Sequence, residues 1–363
     1  MYNILEETMS NLTDLYQQWM AMQPLSDADA NRLHRKFMLD FNYNSNHIEG
    51  NTLTYGQTEV LLLLGEVIGN AKMSDLEEMK AHNVCLKMMQ TEADTDNPLT
   101  ETFIRQLHHT MLREDYTVYR NLPNGTQTSY VVHAGRYKTR PNSVITPTGE
   151  RFEYASPEET PALMYDLVKW YNDEEKNNEL SAIEIASLFH YRYIRIHPFE
   201  DGNGRIARLM VNFILLRHKY PMIVIHSKNK NAYLHALGSA DSKVGPVPSA
   251  GAHASLAQIK DFVTYMEGQL VREITGNIAF LKGTPGQIWW YDGDLVSFRS
   301  PKTPQLLTIL KEQPRVTITD LSTLLGINRS AVQKQLKTLS NKGYIIREGT
   351  PQQWHVIIIS TTK

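Results

Sequence analysis

Almost no cysteine is present in the 363-residue chain, and that absence does the first sorting. The single Cys85 excludes an internal disulfide framework and a multi-cysteine metal site. A lone thiol of this kind is expected as a small buried hydrophobe. Long apolar runs are missing too: Val60-Leu61-Leu62-Leu63-Leu64 is far too short to span a bilayer. No charged start, apolar core and small-residue cleavage site opens the chain, so no secretory signal is expected. A soluble cytoplasmic protein without membrane contact follows as the expectation. There is no strong overall charge either, the net value being −2. What is present is a hydrophobic fraction of 41%, ample for a sizeable core, and length for two or three domains.

The near-neutral total hides an uneven spread. Residues 302–363 carry nine Lys/Arg against three acids, a charge of +6, which leaves −8 for the rest. Such asymmetry suggests separate domains and an anionic partner for the last one. Residues 1–95 read as helical, with Leu33, Phe37 and Phe41 four apart on one face. The segment Ser45-Asn46-His47-Ile48-Glu49-Gly50 follows. If the helix includes it, Ser45 and Glu49 share a face and Gly50 is a natural stop. A carboxylate near a helix C-terminus is disfavoured by the dipole, which hints at a cationic partner for Glu49. Further helices are expected over about 74–90, from Thr100 or Thr102, and over 157–172. His108-His109 is not a metal signature, because sequence neighbours point apart on a helix, and structural histidines are expected there. Residues 117–155 lose the helical period. Tyr130–Val132 and Val144-Ile145 read as short strands, with Thr148-Gly149 as a turn.

The densest polar stretch is His197-Pro198-Phe199-Glu200-Asp201-Gly202-Asn203-Gly204-Arg205-Ile206-Ala207-Arg208. The capping box Ser181/Glu184 starts a helix that must end before His197-Pro198. A second helix begins near Gly204. Gly202-Asn203-Gly204 thus sits at a helix N-terminus, where free N–H groups and the dipole favour an anion and glycines permit close approach. Arg205 and Arg208, three apart, supply two guanidiniums on one face, suited to a polyphosphate. Asp201 can hold Mg2+, which takes one or two carboxylates plus phosphates. His197 is placed to accept a proton from an attacking hydroxyl. A Walker loop and a dinucleotide fingerprint are excluded, since the third glycine and the Lys-Ser/Thr pair are absent.

These twelve residues match, without departure, the pattern H-x-F-x-(D/E)-G-N-G-R-x-x-R, and on them the chain resembles the Fic family. Ser45-x-x-x-Glu49-Gly50 resembles the family's inhibitory motif, in the position of the subclass with an N-terminal inhibitory helix. The similarity runs over roughly 30–275. It implies a mainly α fold, a helical bundle with a short β-hairpin flap around 136–154, and transfer of AMP from ATP to a protein hydroxyl. By the same resemblance His197 is the general base, Asp201 the Mg2+ ligand and Gly202, Asn203 and Gly204 the phosphate cradle. Arg205 and Arg208 hold the β/γ end, and Asn231 and Tyr233 lie near the base, with a packed core tyrosine as the alternative for Tyr233. Glu49 pairs with Arg208 and blocks productive ATP binding, and a buried pair of that kind commonly costs about 3–5 kcal/mol to break. Use of another nucleotide and removal of AMP stay open as alternatives.

The last segment reads as a winged helix-turn-helix: helices over 304–312, 319–325 and 328–340, then strand-like runs at 344–346 and 354–359 joined by Gly349-Thr350-Pro351. Arg329, Gln333, Lys334 and Lys337 fall on the exposed part of its third helix, as in a DNA-reading helix, and a protein-docking role is equally open. The expected organisation is therefore 1–95 helical with the inhibitory motif, 96–275 catalytic core, 276–301 linker and 302–363 winged helix. The expected partners are a target-protein hydroxyl, DNA through 302–363 and, as an assembly, a homodimer. The rival class is a DNA-binding regulator whose core senses nucleotide, against which the intact His197 and Asp201 argue.

Overall fold

The structure is a computed structural model that describes residues 12–121, 126–145, 151–177, 179–283, 288–348 and 352–360. It divides into two units, residues 81–270 and residues 1–80 with 271–363. Both are mainly helical, as expected. The division itself differs from the expected four segments, because the N-terminal residues and the C-terminal module belong to one unit.

In the unit 81–270 the helices follow from local signals. After α1 (residues 12–20), α2 (Asp27–Ile48), α3 (Tyr55–Leu64) and the shared α4 (Met73–Ala93), Thr100 caps α5 (Glu101–Leu112). Then come α6 (Thr160–Asn177), α7 (Ala182–Ile196) and α8 (Asn203–Arg217). The Ser181/Glu184 capping box is formed, with each side chain bonding the other's backbone. α9 (Lys230–Val244), α10 (Pro248–Ala252) and α11 (Lys260–Lys282) complete the unit, α11 running on past it. The core is densest on α7 and α8, where Ile185, Leu188, Phe189, Leu209, Phe213 and Ile214 are buried. Phe199 is also buried, as expected of a loop anchor.

Among the described residues two hairpins, not one, interrupt this helical unit. β1 (Tyr116–Asn121) pairs antiparallel with β2 (Gln127–Val132) in the register Tyr116 to Val132. β3 (Ser143–Ile145) pairs with β4 (Arg151–Glu153), the expected flap, shorter than 136–154. Thr148-Gly149 lies outside the described residues. The first hairpin was half legible: Tyr130–Val132 read as strand, while its partner Tyr116–Asn121 gave no alternation to read.

In the other unit, α2 runs through Ser45 to Ile48, with Glu49 as its C-cap and Gly50 at φ 102° ending it. Thr54 caps α3 in a box with Gln57. The described residues of 276–301, expected as a linker, are structured. α11 extends to Lys282, and β5 (Ile288–Tyr291) pairs with β6 (Asp294–Ser297) around Asp292-Gly293, both at positive φ. Turn residues around a strand pair have the same composition as a connector, which is why the local pattern points to one. Thr284-Pro285-Gly286 lies outside the described residues. The winged helix follows as α12 (Lys302–Glu312), α13 (Ile318–Leu325), α14 (Arg329–Asn341), β7 (Ile345–Glu348) and β8 (Gln353–Val356). The run expected to end at Ile359 divides: β9 (Ile359–Ser360) leaves the wing and pairs with β5, in the order β6-β5-β9. Gly349-Thr350-Pro351 lies outside the described residues. Trp289 is buried in the core of the three helices, with Leu306, Leu310, Leu321 and Leu336.

The neighbouring Trp290 faces a different core, shared by Leu39 of α2, Tyr55 and Val60 of α3, Phe280 of α11 and Ile357 and Ile359. A buried polar cluster sits beside it. Lys36 Nζ meets Glu273 Oε1 at 2.5 Å, donates to Asn277 Oδ1 at 2.9 Å and lies 3.9 Å from the Trp290 ring centroid. Asp40 accepts from Tyr55 Oη and Trp290 Nε1, each at 2.6 Å. A buried pair gives little net stability, but losing one partner strands the other. Lys36→Met is expected to lower unfolding free energy by roughly 3–5 kcal/mol, and Lys36→Met with Glu273→Leu to recover most of it. Denaturant titration checks this; a double variant as unstable as the single one would contradict it.

Candidate active site

α7 ends at Ile196 and its C-cap is His197, at φ 51° and ψ 62° in the left-handed region. A non-glycine residue there is uncommon and must be held by its surroundings. Pro198 bars continuation of the helix. Four consecutive carbonyls are then gripped from one segment. Lys138 Nζ donates to Ile196 O at 3.0 Å and Lys138 N to Pro198 O at 2.8 Å. Asn142 Nδ2 donates to His197 O at 3.4 Å and Phe199 O at 3.0 Å. Thr139 donates its N–H and hydroxyl to Glu200 Oε1. The His197 ring stacks on Tyr154, centroids 4.0 Å apart and planes 17° apart.

The far side of the loop is closed by Asn203. Its Oδ1 accepts from Phe199 N at 3.0 Å and its Nδ2 donates to Phe199 O at 2.8 Å. The Asn203 side chain is thus spent on the loop itself, and what it can offer an anion is its backbone N–H. Gly202 is the N-cap of α8 at φ 76°. A β-carbon there would meet His108 Cδ2 at 3.5 Å, ordinary contact, so conformation rather than space calls for glycine. Having no side chain, Gly202 cannot cap, and the first N–H groups of α8 remain available to an anion.

Asp201 is half-buried. Its Oδ1 accepts from Gly202 N and its Oδ2 from Tyr116 Oη, both at 2.7 Å, with Arg205 Nη2 at 3.5 Å. Burial alone would raise its pKa, but the Arg205 charge, the Tyr116 hydroxyl and the Gly202 N–H hold it below the ordinary carboxylate value. Among the described residues no group of three or more His, Cys, Asp or Glu is arranged for a metal. A lone ionised carboxylate nonetheless suits Mg2+ that arrives on phosphates, since that ion keeps its waters and takes one or two protein oxygens.

Arg205 and Arg208 are both buried. Their charges reach His82 on α4, whose pKa is pushed well down by burial first and then by both arginines. Two buried cations near a helix N-terminus that no side chain caps are a combination suited to an anion. Tyr233 is buried and its hydroxyl meets His190 Nε2 at 2.8 Å, whereas Asn231 is exposed. The packed-core reading of Tyr233 fits this placement. Ser45 is buried in α2 and Glu49 and Gly50 are exposed, so the energy of a fully buried pair does not apply to Glu49.

Sequence reasoning missed four residues that shape the site. Lys138 and Asn142 carry no periodic signal, and Tyr116 lay in a strand that did not show. His108 is the satisfied structural histidine expected, and what sequence did not show is that it braces the loop. It stacks on Phe199 at 3.7 Å, accepts from Gly135 N at Nδ1 and therefore donates from Nε2 to Asp201 O at 3.0 Å. Burial drives its pKa down to about 4, keeping it neutral. Cys85 is buried with Sγ toward Leu107 O, and burial raises its pKa to about 12.

A mainly helical unit whose central loop joins a histidine at the end of one helix to the uncapped start of the next defines a Fic-type fold. Comparison with known proteins agrees. The Fic/DOC family model matches residues 98–215, and a winged helix-turn-helix DNA-binding model matches 299–346. A Fic-domain signalling protein from Bacteroides thetaiotaomicron superposes with TM-score 0.69 at 55% identity, covering 74% of this chain and 96% of that one. Protein adenylyltransferase fic-1 of Caenorhabditis elegans is 30% identical over 212 residues, 58% of this chain and 38% of the relative. The Caenorhabditis briggsae counterpart is 26% identical over 257 residues, 71% and 44% respectively. The chain belongs to the Fic/DOC family. It spans less than half the length of these curated adenylyltransferases.

The buried histidines give a pH test. Burial, and secondarily the Arg208 charge, holds His190 down to about 3. The unfolded chain binds that proton near 6.5, so stability is full above 6.5 and is lost as pH falls toward 3. His190 accounts for roughly 3 kcal/mol of the loss between pH 6.5 and 4. In His190→Gln the fall in melting temperature over that range is expected to shrink; an unchanged fall would contradict the assignment.

Proposed function

We propose that the chain is a protein adenylyltransferase that moves AMP from ATP to a Ser, Thr or Tyr hydroxyl of a target protein and is restrained by Glu49. The observation that carries this is the juxtaposition in one loop of His197, ionised Asp201, an uncapped helix N-terminus and two buried arginines. Phosphoryl-type transfer is mostly positioning and charge neutralisation, which this loop supplies. The likeness to proteins named adenylyltransferases supports the choice of AMP.

His197 takes the proton of the target hydroxyl as its oxygen attacks the α-phosphorus of ATP. The bond from that phosphorus to the oxygen bridging to the β-phosphate breaks, and pyrophosphate leaves. The backbone N–H groups of Asn203 and Gly204 at the start of α8 cradle the phosphates, with the Gly202 N–H held by Asp201 and its missing side chain leaving the approach open, while Arg205 and Arg208 neutralise the β/γ end. Asp201 would hold Mg2+, which supplies charge neutralisation on the phosphates. The β3–β4 hairpin offers an edge for strand pairing with the target segment. Restraint by Glu49 rests on the Ser45-x-x-x-Glu49-Gly50 motif, with Glu49 competing with the γ-phosphate for Arg208.

A second partner is supported by a separate observation. Arg329, Gln333, Lys334 and Lys337 are all exposed on α14, whose apolar side, Val332, Leu336 and Leu339, is buried. This face suits duplex DNA. Losing two phosphate contacts should lower the slope of log affinity against log salt by about 2. Lys334→Ala with Lys337→Ala is expected to show that change in fluorescence anisotropy with duplex DNA; an unaltered slope removes these residues from the interface.

For the chemistry, the purified Glu49→Gly protein incubated with ATP and Mg2+ should gain the mass of one or more AMP groups by intact-mass spectrometry, more than the wild type. Adding His197→Ala should abolish the gain. Equal modification of Glu49→Gly and wild type would sink the inhibitory role, and modification that survives His197→Ala would sink the base.

A further inference from the structure

We propose that Lys138, together with Asn142, is the positioning residue that sets His197 for proton transfer, acting through the carbonyls of the catalytic loop. This rests on the reading of His197 as the base, and extends it to how a base on a left-handed residue is kept aimed.

Lys138 is buried at 3% exposure, an unusual place for an ammonium. Its side-chain partners are neutral: Ile196 O at 3.0 Å and Asn142 Oδ1 at 2.8 Å. Burying a charge against neutral oxygens is costly, and here burial pulls the Lys138 pKa down to about 7, with Glu159 and Glu200 working against that at longer range. A methylene-rich apolar side chain would fill the same space without the penalty. The polar head has a use, since the carbonyl it grips belongs to the last residue of α7, directly before His197. Lys138 Nζ also orients the Asn142 amide: with Oδ1 held by the ammonium, Nδ2 is turned to the carbonyls of His197 and Phe199. The Lys138 N–H takes Pro198 O in the same segment. Carbonyls 196 through 199 are therefore all held from 138–142, which fixes the peptide planes on both sides of His197.

The arrangement has a further consequence for substrate. Asn142 is followed immediately by Ser143, the first residue of β3. The edge proposed to hold the target and the clamp that aims the base are one continuous piece of chain. A target strand seated on β3 stiffens the segment that grips His197.

The test uses the full chain in the Glu49→Gly background. Misplacing a catalytic group by about 1 Å costs on the order of 100-fold. Lys138→Met is expected to lower kcat for AMP transfer by about that factor while KM for ATP stays within about 2-fold, because the anion site on α8 is untouched. Lys138→Arg, which can still donate to Ile196 O, should recover most of the loss. Asn142→Ala, a milder change at a half-buried site, should show the same split at about 10-fold and keeps the test open if Lys138→Met folds poorly. The second readout needs no turnover: the rate at which diethyl pyrocarbonate modifies His197, followed by peptide mass spectrometry, should change at least about 3-fold in Lys138→Met and Asn142→Ala and return toward the parent in Lys138→Arg. If the Glu49→Gly parent transfers no AMP, the function reading fails while this readout still decides the clamp. Unchanged His197 reactivity, or kcat and KM moving together with the melting temperature in every variant, would overturn it.

Discussion

The left-handed backbone of His197 is the constraint on which the rest of the site depends. It turns the chain sharply out of α7, so that the same short loop can enter α8 through a second left-handed residue, Gly202. Those two turns bring the His197 ring, the Asp201 carboxylate and the start of α8 into one short loop. The left-handed conformation is not intrinsic to His197, so its neighbours and partners enforce it: Pro198 bars helix, Asn203 ties Phe199 at both its N–H and C=O, and Lys138 and Asn142 grip the carbonyls. His108 under Phe199 completes the enclosure. Preorganisation of this kind lets dipoles and charges act without rearrangement at the moment of reaction.

The polar parts of this site were legible because each depends on near neighbours. A proline after a histidine ends a helix, a Gly-Asn-Gly start leaves N–H groups open, and arginines three apart share a helix face. What could not be read was how those residues are held. Lys138 and Asn142 lie more than 50 residues from the carbonyls they grip, and nothing in their own neighbourhood announces it. The burial of Arg205 and Arg208 was hidden for the same reason, since helical spacing gives a face but not what covers it. In the C-terminal module the three helices stood out by period, while the strand pair 288–297 was lost because Asp292-Gly293 reads equally as a hairpin turn or as loose connector. β9 joins β5 across nearly 70 residues, beyond any local pattern.

One unit brings together regions that the sequence kept apart. α2, which carries Ser45 and ends at Glu49, shares an apolar core with Trp290, Ile357 and Ile359, and shares the Lys36–Glu273 pair and the Asp40 hydrogen bonds with α11 and β5. Buried polar contacts of this type tolerate one arrangement well and others badly. The helix bearing Ser45 and Glu49 is therefore seated on the same framework as the winged helix.

The central claim is that the loop presents the α-phosphorus of ATP to a hydroxyl activated by His197. Parallel reactions of the Glu49→Gly protein with ATP labelled on the α- or the γ-phosphate test it most directly. The account predicts covalent label from the α-position alone; label from the γ-position, or label from neither, would contradict it.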